Sequence, residues 1–185
     1  MKTETEVKIQ VDQNRFEACR QRLRRDPAWL CRSRTKEVNL VMDFPDRLLA
    51  ARGCLLRIRQ WGPETTLTYK GRSLDNPVFK QRPELETQLG DSETAEKILL
   101  ALGLRRSFIY EKLREKYRFP VDNEQLEISL DETPFGLFVE IEGAQSAIGN
   151  AVKELGLTLA DSVTKSYVDL YREHGLGECP VIETI

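Results

Sequence analysis

Charged side chains alternate with apolar ones at a period of two through much of this chain, and within a segment the charges keep nearly one sign. Residues i, i+2 and i+4 of a strand share a face. Strands read this way over 3–11, 38–44, 54–60, 65–70, 84–89, 112–119, 127–130 and 137–142. Glu4, Glu6 and Lys8 then stand together while Val7 and Ile9 face away, and Arg57 and Arg59 back onto Leu56 and Ile58. Thr66, Thr68 and Lys70 oppose Leu67 and Tyr69; Arg82 runs with Glu84 and Glu86, and Lys112 with Arg114 and Lys116. Glu140 and Glu142 share a face with Phe138, away from Val139 and Ile141.

An open sheet with its ionic face in water accounts for any one of these strands. Solvated faces, however, mix Ser, Thr, Gln and both signs of charge, whereas these run acidic, basic, basic, basic, acidic. The intervening helices add a second constraint. Asp12 caps a helix with Phe16, Cys19 and Leu23 on one side; 93–102 opens at Ser92 and is closed by Gly103; 146–155 stops at Gly156. A fourth helix begins near Ser162 and carries Lys165, Tyr167 and Leu170 towards Tyr171. Amphipathic helices need an apolar wall. A sheet closed into a barrel, charged inside and covered by helices outside, meets both demands. The helices and the short acid-rich strands argue against a membrane barrel.

Composition narrows the chemistry. At 185 residues the chain suits one domain. Basic and acidic residues number 28 and 30, for a net charge of −2, so no broad polyanion-binding surface and no nucleic-acid partner is expected. No apolar region follows the polar start, and no run approaches the ~20 apolar residues of a spanning helix, so a cytoplasmic protein without a membrane partner is expected. Cys19, Cys31, Cys54 and Cys179 are scattered without metal-ligand spacing and read as reduced, partly buried thiols. His174 is the single histidine, which excludes imidazole zinc sites and Ser-His-Asp machinery. Any metal is then held by carboxylates, which favours Mg²⁺ or Mn²⁺.

Three Glu-x-Glu pairs, Glu4/Glu6, Glu84/Glu86 and Glu140/Glu142, each precede a helix, and two of those helices finish in Leu-Gly-Leu, a weak repeat of a strand–helix unit. Packed like charges in a narrow lumen require counter-ions. Divalent cations answer the Glu clusters, and a polyphosphate answers Lys8, Arg57, Arg59, Lys70, Arg82, Lys112 and Arg114. A metal–triphosphate complex carries both complements. Lys116 and Glu127 read as solvated or structural, and Trp29 and Trp61 as packing or loop residues. The segment 71–77 reads as a mobile loop.

Glu4-x-Glu6-x-Lys8 resembles the ExExK signature of CYTH domains, the triphosphate tunnel superfamily. Leu56-Arg57-Ile58-Arg59, Leu67-Thr68-Tyr69-Lys70-Gly71, Arg82-Pro83-Glu84-Leu85-Glu86, Lys112-x-Arg114, Asp131 and Glu140-Ile141-Glu142 follow in the family's order, and Thr164-Lys165-Ser166-Tyr167 with Leu170 resembles its C-terminal helix. Glu37 and Asn39 stand where the family often has polar residues, and Met42 replaces its usual aromatic. The resemblance implies an α+β fold: a closed antiparallel eight-stranded tunnel in a single domain over 1–174, with 175–185 loosely held. It implies a metal-dependent triphosphatase acting on inorganic tripolyphosphate, thiamine triphosphate or a nucleoside triphosphate. A class IV adenylate cyclase and a non-catalytic polyphosphate binder are the alternatives. Carried over by position, Glu4, Glu6, Glu140 and Glu142 with Asp131 hold Mg²⁺ or Mn²⁺, and Lys8, Arg57, Arg59, Lys70, Lys112 and Arg114 bind phosphate. Glu84 and Glu86 orient a second metal or the attacking water, and Lys165 reaches in from the C-terminal helix. A homodimer is implied by the resemblance alone.

Overall fold

The structure, a computed structural model, describes residues 2–176 except Asp75, Pro77, Asp122 and Asn123. Most of the expected tail, Cys179 included, and two positions of the expected 71–77 loop therefore lie outside the described residues.

Eight antiparallel strands close into a barrel: β1 (Lys2–Val11), β2 (Leu30–Asp43), β3 (Leu55–Trp61), β4 (Glu64–Lys70), β5 (Lys80–Gln88), β6 (Arg105–Val121), β7 (Glu124–Thr133) and β8 (Gly136–Glu142). Round the barrel the order is β1-β5-β4-β3-β2-β6-β7-β8. Strands β5, β1 and β8 are thus neighbours, and β2 stands across the lumen from β1 with β3 and β6 beside it. This order decides where the charges meet. The three Glu-x-Glu pairs lie on β5, β1 and β8, and the pure basic rows on β3 and β6.

The apolar faces of β1, β7 and β8 turn outward. Val7, Ile9, Ile128, Leu130, Val139 and Ile141 pack there beneath α1 (Gln13–Arg25) and α4 (Gln145–Glu154). Asp12 caps α1 by accepting from the Arg15 amide at 2.8 Å, and Phe16, Cys19 and Leu23 form its buried stripe, as their spacing requires. Each such large side chain contributes about 1.5–3 kcal/mol when fully buried. Gly156, at φ +70°, ends α4 in the left-handed conformation that glycine adopts without a Cβ penalty. On the outer side of β6, Glu115 is buried and accepts from Arg20 at 3.0 Å, Arg24 at 2.8 Å and Tyr117 at 2.6 Å, which ties α1 to the barrel.

Three readings change. The short helix α2 (Leu48–Ala51) had no sequence signal. Helix α3 (Ser92–Ala101) buries none of its residues fully, with Leu99 and Leu100 half-buried and Ile98 exposed, so its apolar side is only partly covered. The fourth long helix does not begin at Ser162. A 3-10 turn (Leu159–Asp161) precedes an extended stretch in which Ser162 bridges Ile9, and α5 (Tyr167–Glu173) follows. Helix α5 packs Tyr167, Val168, Leu170 and Tyr171 against Val41, Phe108, Tyr110 and Phe138 at one end of the barrel.

Candidate active site

The lumen is a cavity of about 480 Å³ lined almost wholly by ionic side chains. Register fixes their rows. On the acidic side Glu6 stands between Lys80 on β5 and Glu142 on β8, Glu4 is opposite Arg82, and Lys8 is opposite Glu140. Glu4, Glu6, Lys8, Arg57, Arg59, Lys70, Arg82, Glu84, Glu86, Lys112, Arg114, Glu140 and Glu142 all line this one cavity.

Many of the charges are already paired across strands. Lys70 Nζ donates to both oxygens of Glu4, at 2.7 and 2.6 Å, and lies 2.9 Å from Glu84. Arg82 stands 3.5 Å from Glu4 and 3.6 Å from Glu6. Glu86 accepts from Arg59 and from the Thr68 hydroxyl, each at 2.8 Å. Glu84 and Glu86 therefore face the lumen, but each is held by a cation.

Three cations differ. Among the described residues Lys8, Arg57 and Lys80 have no carboxylate within ion-pair distance, and the Arg57 Nε has no hydrogen-bond partner. Burial, with Arg82 beside it, pushes the Lys80 ammonium down to about 8. Burial likewise lowers Lys8, although Glu140 and Glu6 oppose this. An anion beside such groups favours their charged form.

Asp131 departs from its expected place among metal ligands. It is fully buried outside the cavity lining and accepts from Lys112 at 2.8 Å, from Arg114 Nε at 2.7 Å and from the Tyr167 hydroxyl at 2.6 Å. Its oxygens are engaged in organising the basic row. Glu140 is also bonded to Arg114, and although burial opposes its charge, Lys112, Arg114 and Lys8 hold it well below the usual carboxylate range. Glu142 goes the other way: burial and the crowding of Glu4 and Glu127 push it up to about 8. Among the described residues no three carboxylates converge as a ready cation cage. The donor set nevertheless suits a hard divalent cation. It is all oxygen, and at Glu142 burial and neighbouring carboxylates outweigh the pull of Lys70, so an added cation would relieve the crowding.

Lys165 does not reach the lumen. It lies ahead of α5, and its ammonium turns outward to Glu173 at 2.7 Å, while its backbone carbonyl accepts from Lys8 Nζ at 2.5 Å. Lys116 and Glu127, expected as solvated or structural, are half-buried or buried in the tunnel wall and paired at 2.6 Å. Trp29 packs on Phe119, as expected of a packing residue, but Trp61 lines a side cavity of about 150 Å³ with Arg59, Glu86 and Arg118. Lys80, Tyr110, Arg118 and Tyr167 are among the lumen residues that the sequence reading gave no role. Extending the Arg82-Glu84-Glu86 parity two residues back would have found Lys80.

Comparison with known proteins bears on the family and the fold. A protein of Methanocaldococcus jannaschii, provisionally named an adenylate cyclase, is 31% identical over 126 residues, covering 62% of this chain and 69% of its own. Among solved structures, a Vibrio parahaemolyticus protein with a similar provisional name superposes with a TM-score of 0.76 at 20% identity, covering 92% of this chain and 98% of that one. A Hippeastrum protein described as an adenylyl cyclase with a dominant triphosphatase activity superposes with a TM-score of 0.65 at 17% identity, covering 94% and 96%. The family model described as the CYTH domain matches residues 2–167, nearly the whole described chain, and the protein therefore belongs to the CYTH domain family.

Proposed function

We propose that this protein is a divalent-metal-dependent triphosphatase that holds a triphosphate along the basic wall of the tunnel. The observation that carries the reading is the opposition of two walls in one closed cavity: carboxylates on β5, β1 and β8 face cations on β3 and β6. A metal–triphosphate complex matches both walls at once.

Phosphoryl transfer needs charge neutralisation and in-line alignment more than a covalent partner. Arg57, Lys8 and Lys80 have no carboxylate to give up and meet phosphate oxygens first. Arg59, Lys70, Arg82, Lys112 and Arg114 exchange or share their present carboxylates. Arg57 is buried and its guanidinium fork suits bidentate phosphate contact. Glu6 and Glu142, with Glu4 once it leaves Lys70, would hold Mg²⁺ or Mn²⁺. Glu140 is the next candidate ligand, and Asp131 serves better as the anchor of Lys112 and Arg114. The cation, when bound, supplies Lewis-acid neutralisation of the phosphate oxygens. In this reading Glu86, held beside Arg59 and Thr68, would take a proton from an attacking water. Substrates in this reading are inorganic tripolyphosphate, thiamine triphosphate or a nucleoside triphosphate.

The second reading is an adenylate cyclase, in which a ribose hydroxyl attacks the α-phosphorus of ATP. The name of the archaeal relative favours it. Product analysis separates the two. Purified protein is given ATP, tripolyphosphate or thiamine triphosphate with Mg²⁺, Mn²⁺ or EDTA. Orthophosphate supports the triphosphatase; cyclic AMP with pyrophosphate supports the cyclase; tight binding without turnover leaves a binding protein.

A further inference from the structure

Two buried ammonium groups, from β1 and β6, each lie over the ring of Tyr167. Lys8 Nζ lies 4.3 Å and Lys112 Nζ 4.0 Å from the ring centroid of Tyr167. Like charges so placed repel, and Lys8 has no carboxylate within ion-pair distance among the described residues. The ring itself is fixed. Phe138 meets it edge-on at 5.6 Å, Tyr110 lies at 6.3 Å, and its hydroxyl donates to Asp131 at 2.6 Å.

The backbone ahead of the ring grips the same lysine. Ser162 bridges Ile9, the Val163 amide donates to the Lys8 carbonyl at 2.7 Å, and Lys8 Nζ donates to the Lys165 carbonyl at 2.5 Å. The segment 162–167 thus fixes Lys8 by its main chain, its ammonium and the ring it faces.

We infer that Tyr167 is a positioning residue whose ring face, together with the Lys165 carbonyl, holds the Lys8 and Lys112 ammonium groups at a set spacing for the phosphate oxygens of one triphosphate. An aromatic face attracts a cation without neutralising it. A carboxylate in that place would have to be displaced by the incoming phosphate; a ring does not. Lysines held in the bound arrangement lose less freedom when the anion arrives. The inference rests on the triphosphate reading and adds a determinant of affinity that lies outside the rows of charge.

The test is calorimetric titration of inorganic tripolyphosphate in EDTA against the wild-type protein, Tyr167→Phe, Tyr167→4-fluorophenylalanine and Tyr167→3,4,5-trifluorophenylalanine. Fluorine drains the ring face while nearly preserving its shape. One fluorine of both variants stands where the hydroxyl met Asp131. The step from the monofluoro to the trifluoro variant adds fluorines elsewhere on the ring and so reads the ring face alone. The expected result is binding by Tyr167→Phe within about threefold of wild type, then stepwise weakening to about tenfold for the trifluoro variant, with thermal midpoints equal to that of Tyr167→Phe. A flat series, or tightening with fluorination, overturns the inference. So does a Tyr167→Phe protein as weak as the trifluoro variant, because the Asp131 hydrogen bond would then be what matters. If the wild-type protein binds no tripolyphosphate, the functional reading itself falls; a flat series in a protein that binds removes only the role of Tyr167.

Discussion

Arg57 and Glu142 show how differently two residues of one lumen can be placed. Arg57 is a buried cation whose Nε has no hydrogen-bond partner, so an arriving phosphate gains from it without breaking an ion pair. Hydrogen bonds to charged groups are worth about 1.5–3 kcal/mol. Arg57→Ala should therefore weaken tripolyphosphate binding by roughly tenfold to a hundredfold, with little change in thermal midpoint. Titration calorimetry with a parallel melt checks both. Burial and the crowding of Glu4 and Glu127 outweigh the pull of Lys70 on Glu142 and push it up. Glu142→Gln should leave the midpoint in EDTA unchanged or higher, and remove most of the rise that Mg²⁺ or Mn²⁺ gives the wild-type protein. A midpoint that falls in EDTA and still rises fully with metal would place the cation elsewhere.

At the scale of elements, α1 has two independent attachments that respond to different tests. Its apolar stripe makes Phe16→Ala costly, about 3–5 kcal/mol in urea unfolding, because the cavity lies between helix and barrel. Its ionic attachment is Glu115. Burial opposes that charge, but Tyr117 and Arg24 outweigh it and hold the carboxylate below its ordinary value. A depressed folded-state value means that the stabilisation is present above the ordinary glutamate range, near 4.3, and is lost as pH falls through the lower folded value. Urea midpoints of the wild-type protein should drop below about pH 4.5, and Glu115→Gln should be weaker at pH 7 but lose less on acidification. Equal slopes for the two proteins would remove Glu115 from the account. The strands show why so much of the sheet was legible. Where one face is apolar and the other ionic, parity alone gives strand and facing, as in β1, β3, β4 and β8. Parity failed over Leu30–Lys36 of β2, where the register shifts between Arg32 and Thr35, and over Val163–Lys165, where pairing with β1 draws the chain out of a helix. The capping box of Ser166 and Asp169 was the signal that α5 begins only after Lys165.

Over the whole molecule, a net charge of −2 conceals a strong internal separation of charge, because strand order gathers the acidic strands round β1 and sets the basic ones beside β2. Sequence gave the sign of each face but not which faces meet. The pairing of Asp131 with Lys112, Arg114 and Tyr167, and the lack of a carboxylate partner for Lys80 among the described residues, follow from closure of the barrel and could not be read from spacing. The central claim is that both walls act on one substrate, and turnover in single-wall variants tests it most directly. Orthophosphate release from tripolyphosphate is measured for the wild-type protein, Arg57→Ala on the basic wall and Glu142→Gln on the acidic wall, each with Mg²⁺, Mn²⁺ or EDTA. The account predicts release by the wild-type protein only with metal, with at least about a hundredfold loss of kcat/KM in each variant. Turnover that persists in EDTA, or that survives loss of either wall, would contradict it.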